Sequence, residues 1–174
     1  MSRLYICREV EKLVRRHGTR DPFALLDAMN VQVRVYFDLN CTKGFTRYFL
    51  RRYFVGINGN LSEAGRRIVA AHELGHIVLH SEALRTSPLF DTAVYDKRSS
   101  TEYEANLFAA DLLLTDSEVL ETAGMPDTDF LSLCSILGTE PGLMNFKLLS
   151  MRKRGLHVPL SGECDSRFLD RNPI

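Results

Sequence analysis

Apolar residues near the N-terminus recur at helical spacing in two consecutive segments. Residues 3–16 carry them three or four positions apart, which predicts an amphipathic helix that ends at Gly18. The segment TRDPFALLDAMN follows, with Asp21 suited to the N-cap and Pro22 to the first helical position. The chain is therefore expected to begin with two helices.

The next segments change to the alternation that is typical of strands. VQVRVYF places valine or phenylalanine at every second position from Val31 to Phe37, which predicts a strand with one buried face. The stretch 41–59 is rich in aromatic and β-branched residues, and it predicts a β-ribbon that ends near Asn58 and Gly59. These strands are expected to form a small antiparallel sheet.

The remainder of the chain has helical spacing with one long interruption. Asn60 and Glu63 have the spacing of a capping box, which predicts the start of a helix that runs to about residue 81. Segment 83–101 contains a proline and has no clear period, so we expect a long loop before helical spacing resumes near residue 100. Further helices are predicted at 116–123, 129–137 and 141–154, followed by a polar tail.

Length and composition agree with one globular domain. The chain has 174 residues, of which 45% are hydrophobic, so it is long enough to bury a core of its own. We expect an α-rich α+β domain over residues 1–155, of which 116–155 are a C-terminal helical part, and a tail at 156–174.

The charge balance and the N-terminal sequence narrow the class of partner. Lys and Arg together number 22, as do Asp and Glu, so there is no general attraction to nucleic acid or to an anionic membrane. The N-terminal residues lack the apolar run of a signal peptide, and no stretch approaches the ~18 apolar residues of a membrane span. We therefore expect a cytoplasmic protein whose four scattered cysteines are reduced thiols.

Candidate chemistry is concentrated in the segment AHELGHIVLH. Residues four apart share one face of a helix, so His72 and His76 can direct two imidazole nitrogens at one metal ion. Glu73 can accept a proton from a water molecule at that metal, which is the chemistry of an HExxH motif. His80 lies one turn further along, where it can support the site or stabilise the helix end as a cation.

A structural interpretation of the same segment is a buried, hydrogen-bonded histidine pair with an exposed Glu73. Gly75 lies on the side of this helix that faces the core, where it permits the close approach of another element. A third metal ligand would favour the metal site over the histidine pair.

The source of that third ligand is not decided by spacing. Position 82 is Glu rather than His, so the pattern HExxHxxGxxH fails. The later segment STEYEANLFAADLLL offers Glu102 and Glu104 instead. Each is also placed to complete a capping box, Glu102 with Ser99 and Glu104 with Thr101. One glutamate can cap the helix while the other binds the metal.

Taken together, HELGHIVLH and EYEANLFAADLLL resemble the paired motifs of the ImmA/IrrE-type metallopeptidases. That family shows HExxH followed by a helix with an E-x-E-A-N-x-F-A-A-x-L-L signature. The upstream stretches TRDPFALLDAMNVQVRV, KGF and VGINGNLSEAGRRIVAAHELGH also look like the family, so the resemblance covers roughly residues 4 to 115. The signature often closes with Met-Pro, where this chain has Leu114 and Thr115.

The resemblance implies a zincin-like fold with two metal-bearing helices. It implies His72, His76 and Glu104 as the zinc ligands, with Glu73 as the catalytic base of a metalloendopeptidase. Mn²⁺ and Fe²⁺ also suit histidine and carboxylate ligands. Four residues are candidates for a further donor to the oxyanion that forms during peptide hydrolysis: His80, Tyr95, Tyr103 and His157.

The resemblance further implies a protein substrate, namely a helix-turn-helix repressor of a mobile element or stress response in a bacterial or phage setting. Segment 83–101 joins the two motif-bearing helices, so it is expected to form a wall or lid in which Phe90 or Tyr95 grips the substrate. A mobile surface loop is the alternative. The β-ribbon at 45–57 can offer an edge strand to an extended peptide, or can simply cover the helices.

The C-terminal half suggests a different function. LSLCSILGTEPGLMNFKLLSMRKRG predicts two helices that meet at Gly138, as in a helix-turn-helix. Such a chain would be a non-catalytic protein that binds DNA or a regulator on a metal-stabilised scaffold. Neutral net charge argues against DNA binding, and cations are favoured in a last helical turn in any case. The basic end in question consists of Lys147, Arg152, Lys153 and Arg154.

Overall fold

The computed structural model describes residues 3–86 and 100–160, which form two compact units. The first unit, within Met1–Leu113, contains α1 (Arg3–His17), α2 (Pro22–Ala28), β1 (Gln32–Tyr36), β2 (Gly44–Phe49), β3 (Arg52–Asn58), α3 (Glu63–Leu79), α4 (Ser81–Thr86) and α5 (Ser100–Leu113). The second unit, within Leu114–Ile174, contains α6 (Asp116–Ala123), α7 (Phe130–Ile136) and α8 (Pro141–Lys153). The α-rich α+β fold is confirmed, while a single domain over residues 1–155 stays a prediction.

The two N-terminal helices form as their sequence signals predict. Gly18 has a φ of +71°, which ends α1 in a conformation that favours glycine. The carboxylate of Asp21 accepts a hydrogen bond from the backbone N–H of Ala24 at 3.0 Å, and Pro22 opens α2. The buried face of α1 includes Ile6 and Val10, and α1 packs against α5.

The sheet has three strands in the order β1-β3-β2, and it is mixed rather than antiparallel. β2 and β3 form the predicted hairpin, which turns at Leu50 and Arg51 with φ values of +48° and +61°. β1, however, pairs parallel to β3, so the expectation of a purely antiparallel sheet was wrong. The side-chain amide of Asn58 donates to the carbonyls of Leu39 and Thr42, which holds the β1–β2 connection at the end of β3.

The start of α3 differs from the predicted capping box. The N-cap is Ser62, whose hydroxyl accepts the backbone N–H of Gly65 at 3.1 Å. Asn60 lies two residues before this cap, and its side-chain amide donates to the carbonyl of Phe37 at 3.1 Å. The far end agrees with the prediction to within two residues, since α3 ends at Leu79.

α3 is the centre of the first unit and packs against both α5 and the sheet. The helices α3 and α5 approach most closely at Gly75, where an added Cβ would lie 3.2 Å from the Cα and carbonyl oxygen of Ala105 and from the Cβ of Phe108. This confirms the sequence-based expectation that Gly75 permits a close approach. Large side chains from both helices are fully buried around the contact: Leu74, Leu107, Phe108 and Leu112.

In the second unit, one carboxylate binds two cations of the basic end. Asp116 lies 2.7 Å from the buried ammonium of Lys147 and 2.5 Å from the guanidinium of Arg154. Arg154 and Lys147 lower the pKa of Asp116 well below its usual range, and they do so against the opposing effect of burial. Because these two cations engage a carboxylate of their own unit, they contribute little to any DNA-binding surface.

Within the two described stretches, none of the helices combines the length and the apolar character that crossing a lipid bilayer requires.

The contact at Gly75 can be tested with a single methyl group. We expect Gly75→Ala to lower the free energy of unfolding by about 1–3 kcal/mol, because the added Cβ would meet backbone atoms of α5 that cannot move independently. Urea denaturation followed by circular dichroism measures the change. The matched control is Gly142→Ala in α8, where nothing lies within 4 Å and alanine should stabilise the helix. Equal stability changes in the two variants would contradict the close helix contact.

The ion pairs of Asp116 predict a pH-dependent contribution to stability. Because the pKa of this carboxyl is depressed in the folded protein, its contribution is present above the unfolded value of 3.8 and is lost as pH falls further. We expect Asp116→Asn to reduce the free energy of unfolding at pH 7 by on the order of 3 kcal/mol, since it leaves Lys147 buried without that partner. The difference should shrink below pH ~4. Glu121→Gln, at an exposed position on the same helix, is the control; a deficit that is independent of pH would refute the assignment.

Candidate metal centre

The candidate site lies between α3 and α5. His72 and His76 are one turn apart on α3, so both imidazoles leave the helix on the same face. Both side chains are buried, and their Nε2 atoms lie 3.1 Å apart. The two imidazole nitrogens are therefore directed at one point, as the HExxH spacing predicted.

α5 supplies a carboxylate to the same point. Glu102 has one oxygen 3.1 Å from His72 Nε2 and the other 3.2 Å from His76 Nε2. Burial disfavours its charged form, but the contacts with the two histidines outweigh burial and lower the pKa of Glu102 to about 2. The group is thus an anion at neutral pH. Two imidazoles and one carboxylate are a donor set suited to a divalent metal ion, and among the described residues these three side chains could hold one.

Glu104, which the resemblance implied as the third ligand, faces elsewhere. Its Oε2 lies 2.9 Å from Nε2 of His80, one turn beyond His76 on α3. Residues two apart on a helix point about 200° apart, so Glu102 and Glu104 cannot both face the same two nitrogens. The packing of α5 turns Glu102 towards them and Glu104 towards the end of α3. This geometry replaces Glu104 with Glu102 in the candidate ligand set.

Each histidine of the pair has a further partner on its other ring nitrogen. His72 Nδ1 lies 3.0 Å from the side-chain oxygen of Asn106, which can only accept a hydrogen bond, so Nδ1 carries a proton and Nε2 has its lone pair available. His76 Nδ1 lies 3.3 Å from Nδ1 of the buried His80. Such outer partners orient metal-binding imidazoles and fix which nitrogen binds the metal.

Glu73 is fully buried next to the three candidate ligands and has one oxygen in use. Its Oε2 accepts a hydrogen bond from the hydroxyl of Thr46 on β2 at 2.7 Å. Its Oε1 has no hydrogen-bond partner among the described residues. Burial raises the pKa of Glu73 to about 7, although His72 and Thr46 act in the opposite direction. A buried carboxylate with a vacant oxygen and such a pKa is suited to accept and release a proton.

The sheet packs closely against α3 beside this carboxylate. A Cβ at Gly44 would lie 2.4 Å from a methyl group of Val69 and 3.2 Å from Glu73 Oε1. Only glycine therefore fits at this position of β2. Gly44 belongs to the KGF stretch that resembles the family, but the sequence did not place Gly44 or Thr46 beside Glu73, because both reach it only through the packing of the sheet on α3.

The remaining sequence candidates are distributed as follows. His80 is buried in the contacts described above, and Tyr103 is half-buried on α5. His157 is an exposed residue of the second unit. Phe90 and Tyr95 lie outside the described residues, as does most of the segment expected to form a lid. Of that segment, residues 83–86 belong to α4 and residues 100–101 to α5.

Comparison with known proteins agrees with the geometry. The family model of the IrrE N-terminal-like domain, which describes a peptidase family, matches residues 15–131. The chain is 35% identical over 107 residues to the uncharacterized immunity region protein 2 of Bacillus phage phi105, an alignment that covers 62% of this chain and 66% of that protein. It is 30% identical over 118 residues to the metallopeptidase ImmA of Bacillus subtilis (strain 168), with 67% of each chain covered. This chain thus spans about two thirds of the length of the curated relatives that it matches.

Proposed function

Because this chain belongs to the ImmA/IrrE peptidase family, as its motifs suggested, we propose that it is a zinc-dependent metalloendopeptidase. The observation that carries the proposal is the meeting of three buried donor groups, from His72, His76 and Glu102, beside a fourth buried group, the carboxylate of Glu73, which keeps one oxygen vacant. In a core that binds no metal, this arrangement would lower the stability of the fold, because a buried polar group without a partner is destabilising.

In the proposed site, His72, His76 and Glu102 hold the ion. Histidine and carboxylate ligands suit Zn²⁺, and also Mn²⁺ and Fe²⁺. When bound, such an ion would supply Lewis-acid polarisation of the carbonyl of the scissile peptide bond. Without a cation, the buried Nε2 atoms 3.1 Å apart have their lone pairs directed at each other, and these two residues would lose that conflict by holding one.

Glu73 is the proposed general base. The hydroxyl of Thr46 binds Oε2 and thereby holds the carboxylate in one orientation, so that Oε1 remains available for a proton. A pKa near 7 suits a group that must both take a proton from water and return it to the leaving amine. Because residue 44 is glycine, no side chain from this position of β2 contacts Oε1.

The proposed substrate is a protein, specifically a helix-turn-helix repressor. The immunity-region name of the phage relative supports a regulatory setting. β2 is an edge strand of the sheet and carries Gly44 and Thr46 next to Glu73, so an extended peptide that pairs with β2 would pass the base. The second unit offers no comparable support for DNA binding, because Lys147 and Arg154 engage Asp116.

Removal of the carboxylates tests the ligand set. We expect Glu102→Gln to weaken zinc affinity by more than about 100-fold, since it removes a charged ligand that touches both histidines. Glu104→Gln should weaken it by less than about 10-fold, because an amide oxygen still accepts a hydrogen bond from His80. Competition with a chromophoric chelator measures both constants. The proposal fails if the wild-type protein does not retain zinc, or if Glu104→Gln is the more damaging change.

Substitution of the base separates catalysis from metal binding. We expect Glu73→Gln to retain zinc and to reduce cleavage by about 10²–10⁴-fold, because the amide cannot accept a proton. Purified helix-turn-helix repressors serve as substrates, and mass spectrometry of the fragments gives the cleavage rate and position. Glu63→Gln, at an exposed position in the first turn of the same helix, is the matched control. Full cleavage by the zinc-loaded Glu73→Gln variant would overturn the assignment.

A further inference from the structure

Three buried side chains form a continuous row that ends at the candidate metal ligand His76. Glu104 Oε2 lies 2.9 Å from His80 Nε2, and His80 Nδ1 lies 3.3 Å from His76 Nδ1. The side chains of His80 and His76 are 4% and 0% exposed, so water does not compete for these contacts. His80 also caps the C-terminal end of α3 through its backbone, but that role does not require its imidazole.

The direction of each hydrogen bond follows from the chemistry at the two ends of the row. An ionised carboxylate only accepts hydrogen bonds, so Glu104 requires the proton of His80 on Nε2. A neutral His80 then has a lone pair on Nδ1, and this nitrogen can accept a proton from His76 Nδ1. His76 is left with its lone pair on Nε2, the atom that lies beside His72 and Glu102.

We propose that His80 and Glu104 are positioning residues that hold the ring of His76 in the orientation and tautomer that bind the metal through Nε2. The inference rests on the proposed metal site. His72 receives the same kind of support from a neutral amide, Asn106, whereas the support for His76 ends in an anion. In both cases the partner on Nδ1 leaves Nε2 as the nitrogen that faces the metal site.

The row also explains the burial of His80 and Glu104. A carboxylate and an imidazole in the interior destabilise a fold unless each meets a hydrogen-bond partner. Glu104 and His80 satisfy each other, and the second nitrogen of His80 is used by His76. Apolar residues at both positions would bury as well, but they would leave the Nδ1 proton of His76 without an acceptor.

Two substitutions at His80 separate the hydrogen bond from the shape of the side chain. The side-chain oxygen of Asn occupies nearly the place of the imidazole Nδ1, so His80→Asn keeps an acceptor for His76, while His80→Leu removes it. The zinc dissociation constant is measured for the wild type and both variants by chelator competition. In the zinc-loaded proteins, NMR measures the rate at which the Nδ1 proton of His76 exchanges with water. His17→Leu, at the end of α1, is the control for loss of a histidine elsewhere.

We expect His80→Leu to weaken zinc binding by about 10–100-fold and to accelerate the exchange of the Nδ1 proton at least about tenfold. His80→Asn should restore zinc affinity to within about fivefold of the wild type and keep the proton protected. If His80→Leu does not fold, the same measurements are made on Glu104→Leu and Glu104→Gln. The first variant removes the hydrogen-bond acceptor of His80, and the second keeps one.

The outcomes separate this inference from the proposed function. A wild-type protein that fails to bind zinc refutes the metallopeptidase and the positioning role together. A wild-type protein that binds zinc, with His80→Leu and His80→Asn equal to it or equally weakened, overturns only the positioning role. In that case His80 is a structural residue of the helix end, and the proposed ligand set stands.

Discussion

The first unit depends on the close approach of α3 and α5 at Gly75 and Ala105. Packed helices are commonly about 8–10 Å apart, and a glycine at the contact permits the short end of that range. One turn from this contact, the same approach brings Glu102 within 3.2 Å of the histidine nitrogens on α3. Metal ligands tolerate errors of only a few tenths of an ångström, so rigid elements packed through backbone atoms are better supports for them than loops.

The interior created by this contact contains more ionisable groups than a small core ordinarily holds. Each charged group in such a place must meet a partner, because the free energy of desolvation is otherwise not recovered. Within the described residues, the three histidines, Glu102 and Glu104 contact one another at 2.9 to 3.3 Å. Glu73 instead contacts Thr46 through one oxygen, and its other oxygen has no hydrogen-bond partner there. The arrangement is best explained by a site that takes in an ion and a substrate. The groups involved are His72, Glu73, His76, His80, Glu102 and Glu104.

The sheet has a role beyond covering the helices. Because β3 lies between β1 and β2, β2 is left at an edge, and its inner face carries Thr46 against Glu73. One strand thus orients the proposed base and, among the described residues, lies at the edge of the sheet next to it. The second unit contains a different arrangement, a partly buried ion pair centred on Asp116. The cations of that ion pair belong to the basic end that, in the sequence, suggested a DNA-binding motif.

Local physics was enough to predict most of the helices and strands, the cap at Asp21, and the shared face of His72 and His76, because each depends on residues within a few positions of one another. It did not predict α4, which lies largely in the segment expected to be a loop, or Ser62 as the cap of α3. The resemblance of two motifs predicted the family. The sequence did not decide between Glu102 and Glu104, since both lie on one helix and only the rotation of α5 against α3 selects which faces the histidines. The parallel pairing of β1 and the support of the base by β2 are likewise contacts between distant segments. Tertiary packing decided these contacts, because a local sequence pattern does not specify which distant segments pack against each other.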